Sequence, residues 1–278
     1  MSGSWREVVA KRVWARMKDD NLSLLAAGVA FYAVLALFPS LIALVTVYGL
    51  VADPANVAEQ VEPVTAVLPQ EAAQLLVGQL TAVSSVSSGS LTFGLVISVL
   101  AALWAASGGV SALITGINAV YGETEERGFI KLKAMALGLT LGAVIVVVLA
   151  LLLVAAFPAL VDALNLGGIG RVAAEGLRWL LLAALIGAAL SIFYRIGPSR
   201  PSRSRRWVSI GAVVALIVWL LGSLGFSLYV SQFGNYNKTY GTLAAVMILM
   251  LWLYLSAYVI LLGAEIDSEL EKRLRSPA

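Results

Sequence analysis

The sequence predicts an all-α fold, a polytopic integral membrane bundle of six transmembrane helices. Charged residues make up 13% of the chain and hydrophobic residues 60%, whereas about a quarter of the residues in a soluble domain are charged. Long apolar stretches recur along the chain, and about 20 apolar residues suffice for a helix to cross a bilayer. Because these stretches are continuous rather than alternating, they favour helices over a β-barrel.

The six predicted spans lie within one membrane domain, residues 1–278. Their approximate bounds are 24–51, 91–120, 134–161, 177–196, 207–230 and 242–262. The first span contains Pro39, which lacks a backbone donor and clashes with a preceding carbonyl, so we expect a bend near the middle of this helix. Residues 5–20 precede it and are interpreted either as an amphipathic helix on the membrane surface or as the solvated start of a helix.

The connection formed by residues 52–90 contains no lysine or arginine. Two of its prolines, Pro54 and Pro69, lie close to acidic residues, a pattern typical of the first turn of a helix. We therefore expect short external amphipathic helices between the first and second spans. They are interpreted either as a lid over a cavity or as a plain connector.

The distribution of basic residues predicts the orientation of the bundle. The N-terminal segment, the two alternate loops and the C-terminal tail contain all the lysines and arginines except Arg171, Arg178 and Lys238. Because the cytoplasmic loops of membrane proteins are enriched in lysine and arginine, we expect both termini to be cytoplasmic.

The loop between the fourth and fifth spans is densely basic. Its arginines are Arg195, Arg200, Arg203, Arg205 and Arg206. Topology alone explains such a cluster, and the cluster also suits the headgroups of anionic lipids. Because the loop offers no folded surface with aromatic residues for stacking bases, we expect no nucleic-acid partner.

Small side chains dominate the second span, where Ser107, Ser111 and several glycines and alanines follow the bulky Trp104. Small residues allow helix backbones to approach closely, and they also leave room for a substrate, so both a packed central helix and a cavity wall fit this pattern. Asn118 adds a strong hydrogen-bonding group at the end of this span. Glu265 lies at the end of the sixth span, where a carboxylate needs a partner in protein or water. An arginine of the neighbouring basic loop is one such partner.

Several kinds of chemistry are excluded by composition. The chain contains no cysteine and no histidine, so it has no disulfide, no thiolate or imidazole metal ligand and no histidine for acid–base catalysis. It also lacks the Gly-x-x-x-x-Gly-Lys-Ser/Thr loop that cradles the phosphates of ATP. We therefore predict no metal, no cofactor and no enzymatic activity.

Four stretches of the sequence resemble one known family. They are Leu25–Pro39, Trp104–Val110, Asn118–Gly122 and pieces of 240–265 that end in Leu-Leu-Gly-Ala-Glu265. Together they are similar to the YihY/BrkB family of bacterial inner-membrane proteins, whose earlier label of ribonuclease BN is regarded as mistaken. Some members have been connected to serum resistance and to the movement of lipid or lipopolysaccharide precursors.

The resemblance implies a six-helix protein of the bacterial inner membrane that transports amphiphiles. The residues that match motif positions or line the small-residue span are the candidates for a substrate path: Pro39, Trp104, Ser107, Ser111, Asn118, Tyr121, Tyr240 and Glu265. Because few ionisable groups lie deep in the spans, a lipid flippase or exporter is favoured over a transporter of small polar or anionic solutes. A non-transporting scaffold for envelope assembly is a third hypothesis. The expected partners are membrane lipids, anionic ones among them, and a second copy of the chain.

Overall fold

The computed structural model describes residues 5–51, 88–164, 167–200, 209–232 and 242–275, and these residues form helices without any strand. The helices are α1 (Trp5–Asp19), α2 (Leu22–Val51), α3 (Ser88–Tyr121), α4 (Phe129–Ala163), α5 (Gly168–Ile196), α6 (Ile210–Gln232) and α7 (Thr242–Arg275). The external helices predicted before α3 lie outside the described residues, apart from positions 88–90, with which α3 begins.

Five of these helices contain a segment long and apolar enough to cross a membrane: Val99–Tyr121, Phe129–Val154, Gly168–Ile196, Ile210–Val230 and Val246–Lys272. A sixth span results if the bent pair Lys11–Asp19 and Leu22–Ala36 is counted as one. The predicted all-α polytopic membrane bundle is thereby confirmed.

A bend in the N-terminal region lies between α1 and α2, where the two helix axes differ by 61°. Asn21 occupies this turn with φ of 49°, a left-handed conformation that asparagine tolerates better than most residues. The backbone of α2 is helical through position 39, and the side chain of Pro39 lies outside the described residues.

α7 occupies the centre of the bundle and packs against α1, α2, α3, α5 and α6. The buried core lies around its C-terminal half and includes Leu22, Ile117, Tyr194 and Leu261. By contrast, many apolar side chains of α4, such as Ile145 and Leu152, are exposed. In a membrane protein such side chains contact lipid, so the core surrounds the C-terminal half of α7, and α4 forms part of the lipid-facing side of the bundle.

A pair of glycines brings the backbones of α6 and α7 into contact. A Cβ on Gly211 would overlap the carbonyl oxygen of Gly263, and a Cβ on Gly263 would lie 2.7 Å from the carbonyl oxygen of Gly211. Tyr194 of α5 adds a third helix to this crossing, because its hydroxyl donates to the carbonyl oxygen of Ile260 at 2.7 Å. The two glycines and Tyr194 thus hold three helices together at the end that carries the polar side chains described next.

Candidate functional site

Four basic segments meet at one end of the bundle, which we call the basic end. Arg16 of α1 lies 3.6 Å from Glu269 of α7, and Arg127 of the α3–α4 loop donates to the carbonyl oxygen of Gly197 at 2.8 Å. Arg200, which follows α5, forms an ion pair with Glu271 of α7. The N-terminal segment, both basic loops and the end of α7 therefore lie together.

Asn118 holds the two basic loops to each other. Its side-chain N–H donates to Glu125 Oε2 at 2.8 Å, and its side-chain oxygen accepts from the backbone N–H of Ser199 at 2.7 Å. Glu125 also receives two hydrogen bonds of 2.6 Å from the Arg127 guanidinium. We call Asn118, Glu125, Arg127, Gly197 and Ser199 the loop clasp.

The electrostatics of the loop clasp are well satisfied. Hydrogen bonds from the Arg127 guanidinium lower the pKa of Glu125 to about 2, so this carboxylate is ionised throughout the physiological range. Asn118, a predicted substrate-path residue, is buried with its carbonyl oxygen and one N–H engaged by protein. The structure therefore places Asn118 where it positions loops.

The arginines of the predicted headgroup cluster have different surroundings. The guanidinium of Arg200 is buried, with only 3% of its side chain exposed, in an ion pair with Glu271. It also lies 4.6 Å from the ring centroid of Tyr121, another predicted path residue. Arg200 and Tyr121 thus contact each other inside the protein rather than facing the surface. Arg195 lies in the last turn of α5, and the other three arginines of the cluster, Arg203, Arg205 and Arg206, lie outside the described residues.

Glu265 is fully buried in α7. Among the residues that the structure describes, no donor hydrogen bonds to either of its carboxylate oxygens. The alternative that an arginine of the basic loop pairs with Glu265 is not what these residues show. The nearby acid is instead Asp20, in the turn between α1 and α2, whose charge acts on Glu265. Sequence reasoning missed Asp20, because nothing local to residue 20 indicates contact with a residue so distant in the chain.

A second feature is an open groove of about 490 Å³ between α2, α3 and α4, which we call the lateral groove. Its lining includes Gly28 and Tyr32 of α2, Gly108 and Ser111 of α3, and Lys133 of α4. The hydroxyl of Ser111 donates to the carbonyl oxygen of Ser107 at 2.8 Å. Because this hydroxyl is satisfied within α3 and most of the other lining side chains are apolar, the lateral groove is apolar over most of its wall.

Lys133 is the charged group of the lateral groove. Its Nζ lies 4.2 Å from the ring centroid of Trp104 and donates to the carbonyl oxygen of Trp104 at 3.4 Å. Of the predicted path residues, Ser111 lines the groove, Trp104 lies beside it and Ser107 is buried in α3. Lys133 was missed as a site residue because its basic loop counted only toward orientation. Its position directly before a long apolar run is the signal that could have found it.

Two predicted path residues remain without structural surroundings. The side chain of Pro39 and the whole of Tyr240 lie outside the described residues, so the lateral groove and the basic end contain the candidates that the structure places.

The virulence factor BrkB family matches this chain over residues 13–278. The ribonuclease-like protein YfkH of Bacillus subtilis (strain 168) is 34% identical over 271 residues, which cover 91% of this chain and 91% of YfkH. A UPF0761 membrane protein of Vibrio campbellii is 35% identical over 97 residues, which cover 35% of this chain and 30% of that protein. No solved structure matches the chain. With its run of apolar helices and a match across nearly its whole length, the chain is a multi-pass membrane protein that belongs to the virulence factor BrkB family.

Proposed function

We propose that this protein is a flippase or exporter that moves lipids or other amphiphilic envelope molecules across the bacterial inner membrane. The lateral groove is the observation that carries the proposal. Its walls come from membrane-spanning helices and are mostly apolar, while Lys133 provides a cation at one position. An amphiphile matches both properties, because its acyl chains suit the apolar wall and its headgroup suits the ammonium.

Lys133 favours an amphiphile with an anionic headgroup. Within the described part of the chain, its ammonium forms no ion pair with a carboxylate and contacts the ring and carbonyl of Trp104 instead. Lys133 lies near the start of the apolar segment Phe129–Val154, and a charged side chain in a membrane span normally has a polar or charged partner. A phosphate headgroup beside Nζ supplies the missing anion.

The orientation proposed for transport places the basic end in the cytoplasm. The sequence predicts it from the bias of lysine and arginine, and the meeting of Arg16, Arg127, Arg200 and Lys272 at one end supports it. Anionic lipids of the inner leaflet attract such a surface. The lateral groove, which Lys133 lines next to a basic loop, then lies near the cytoplasmic leaflet.

Transport of a small solute is the second candidate. The buried Glu265 favours it, because carboxylates within spans are typical of proton-coupled carriers.

The word ribonuclease in the name of YfkH belongs to that protein. For this chain we propose no enzymatic reaction, since a metal-dependent nuclease uses carboxylate clusters or histidines and the chain has no histidine.

Filling the lateral groove tests the proposal. Gly28 lines the groove and has open space around its Cβ position, so Gly28→Phe places a ring there without a backbone clash. In proteoliposomes containing headgroup-labelled phosphatidylglycerol, we expect the purified protein to move the lipid between leaflets and Gly28→Phe to lose most of this activity.

Gly138→Phe is the matched control, because Gly138 of α4 is also surrounded by open space and does not line the groove. It should keep the activity of the unmodified protein. Lys133→Gln should slow the movement of phosphatidylglycerol between leaflets more than that of phosphatidylcholine. Equal activity of the Gly28 and Gly138 variants, or no movement of lipid by the unmodified protein, would contradict the proposal.

A further inference from the structure

Glu265 has a carboxyl group whose negative charge would be poorly compensated by its surroundings. Its side chain is fully buried in α7, and both oxygens lack a hydrogen-bond donor among the described residues. Burying an ionised carboxylate without a partner is so costly that such groups normally neutralise. The question is therefore where the neutralising proton lies.

Asp20 supplies the second half of the arrangement. It follows α1, whose Arg16 lies 3.6 Å from Glu269, one turn beyond Glu265 in α7, and the Asp20 charge acts on Glu265. The Oδ2 of Asp20 is likewise buried without a donor in the described part of the chain. Two ionised carboxylates have no hydrogen between them and repel each other. Their contact becomes favourable when one proton lies between the two oxygens, as it does in aspartic proteases.

The neighbouring charges do not remove the need for that proton. The groups that act most strongly on Glu265, besides Asp20, are Lys272 and Arg16 as cations and Glu269 as an anion. Both cations lie closest to Glu269, with Lys272 Nζ at 3.4 Å and Arg16 Nε at 3.6 Å from Glu269 Oε1.

The other surrounding helices add little charge to this region. Asp19 of α1 adds a negative charge near Asp20, and α5 contributes Tyr194 and Arg195 at its end. The segments of α2, α3 and α6 contain no lysine, arginine, aspartate or glutamate. The cations therefore neutralise Glu269 first and leave the Asp20–Glu265 contact with an uncompensated charge if both acids ionise.

We propose that Asp20 and Glu265 form a proton-binding site in which the two carboxyl groups share one proton. The site joins the turn between α1 and α2 to α7, so its proton helps to hold α1 against the bundle. Loss of the proton places two like charges between these elements and weakens that junction. The proposal needs no transported substrate and stands independently of the proposed function.

Infrared spectroscopy of the purified full-length protein in lipid tests the site directly, because a protonated carboxyl group has its own C=O absorption. We expect this absorption at neutral pH, with a shift in deuterated water, and its loss as the pH is raised. Glu265→Gln and Asp20→Asn should each abolish it, because the amide that replaces one acid donates to the other and lets it ionise. Glu269→Gln, which changes a carboxylate already paired with Arg16 and Lys272, should retain it.

Absence of a protonated carboxyl band from the unmodified protein at neutral pH would overturn the proposal. So would a band that survives both Glu265→Gln and Asp20→Asn. Loss of the band in one of these variants alone would assign the proton to a single residue and refute sharing. If one variant fails to fold, the other still tests the proposal, because survival of the band in that variant already contradicts a shared proton.

Discussion

Glu125 and Glu265 lie at the same end of the bundle and have opposite surroundings. Glu125 belongs to a loop, keeps a quarter of its side chain exposed and receives hydrogen bonds from Arg127 and Asn118. Glu265 belongs to a spanning helix, is fully buried and has another acid as its polar neighbour. A carboxylate whose charge is compensated by a neighbouring cation stabilises the structure. A buried carboxyl group without such compensation takes up a proton more readily, and groups of this kind are common at functional sites. The comparison therefore separates a structural acid from a candidate functional one.

Arg127→Leu should produce the largest loss of stability, because it removes the cation that compensates Glu125 and the donor to Gly197. Breaking a largely buried, hydrogen-bonded ion pair costs about 3 kcal/mol. The free energy of unfolding in mixed detergent micelles measures the effect. Lys131→Leu removes an exposed cation from the same region and should change stability little. If the two variants lose equal stability, the loop clasp is not the structural element described above.

Asn118→Ala should have a smaller effect, about 1–2 kcal/mol, since it leaves the N–H of Ser199 and one oxygen of Glu125 without their partner. If Asn118 positions loops rather than contacting substrate, lipid movement measured per folded protein should stay close to that of the unmodified chain. Loss of transport with unchanged stability would return Asn118 to the substrate path.

Glu265→Gln should have the smallest effect and the opposite sign at alkaline pH. Burial raises the pKa of Asp20 above its usual value, so the folded state binds a proton that the unfolded state releases. The contribution of this site to stability is then fully present below the ordinary aspartate pKa of about 3.9 and is lost as the pH rises through the raised value. The unmodified protein should lose melting temperature as the pH increases toward about 9.

Glu265→Gln lacks the like-charge contact, so its melting temperature should depend less on pH. At the upper end of this pH range, we expect it to melt about 2–4 °C above the unmodified protein, the shift that corresponds to about 1 kcal/mol for a chain of this size. Thermal unfolding followed by intrinsic tryptophan fluorescence measures both curves. If the melting temperatures of the two proteins change with pH in parallel, Glu265 does not contribute to the pH dependence of stability.

Composition and apolar periodicity were sufficient for the fold class. Residues 134–161 form one uncharged and mostly aliphatic run, and α4 spans Phe129–Ala163. The small residues of the second predicted span lie in α3. The ion pair between Glu175 and Arg178 of α5 also joins residues only three positions apart in the chain. These features are local, and burial of apolar surface along one helix needs no knowledge of its neighbours.

The site depends on contacts that no local pattern contains. Asn118 and Ser199 are 81 residues apart in the chain, and Asp20 reaches Glu265 from the opposite end of the sequence. A side chain's type indicates that it needs a partner, and only the packing of helices supplies one. For this reason the basic loop around Arg200 suggested a contact with lipid headgroups, whereas the Arg200 side chain is buried in an ion pair with Glu271.

The sequence by itself determined that this chain crosses a membrane several times as helices, because the cost of exposing backbone polar groups to lipid leaves an apolar chain few other structures. Tertiary structure decided which polar groups compensate one another. It paired Glu125 with Arg127 and left Glu265 against Asp20, because charge compensation depends on distances of a few ångströms between residues that the chain order keeps far apart.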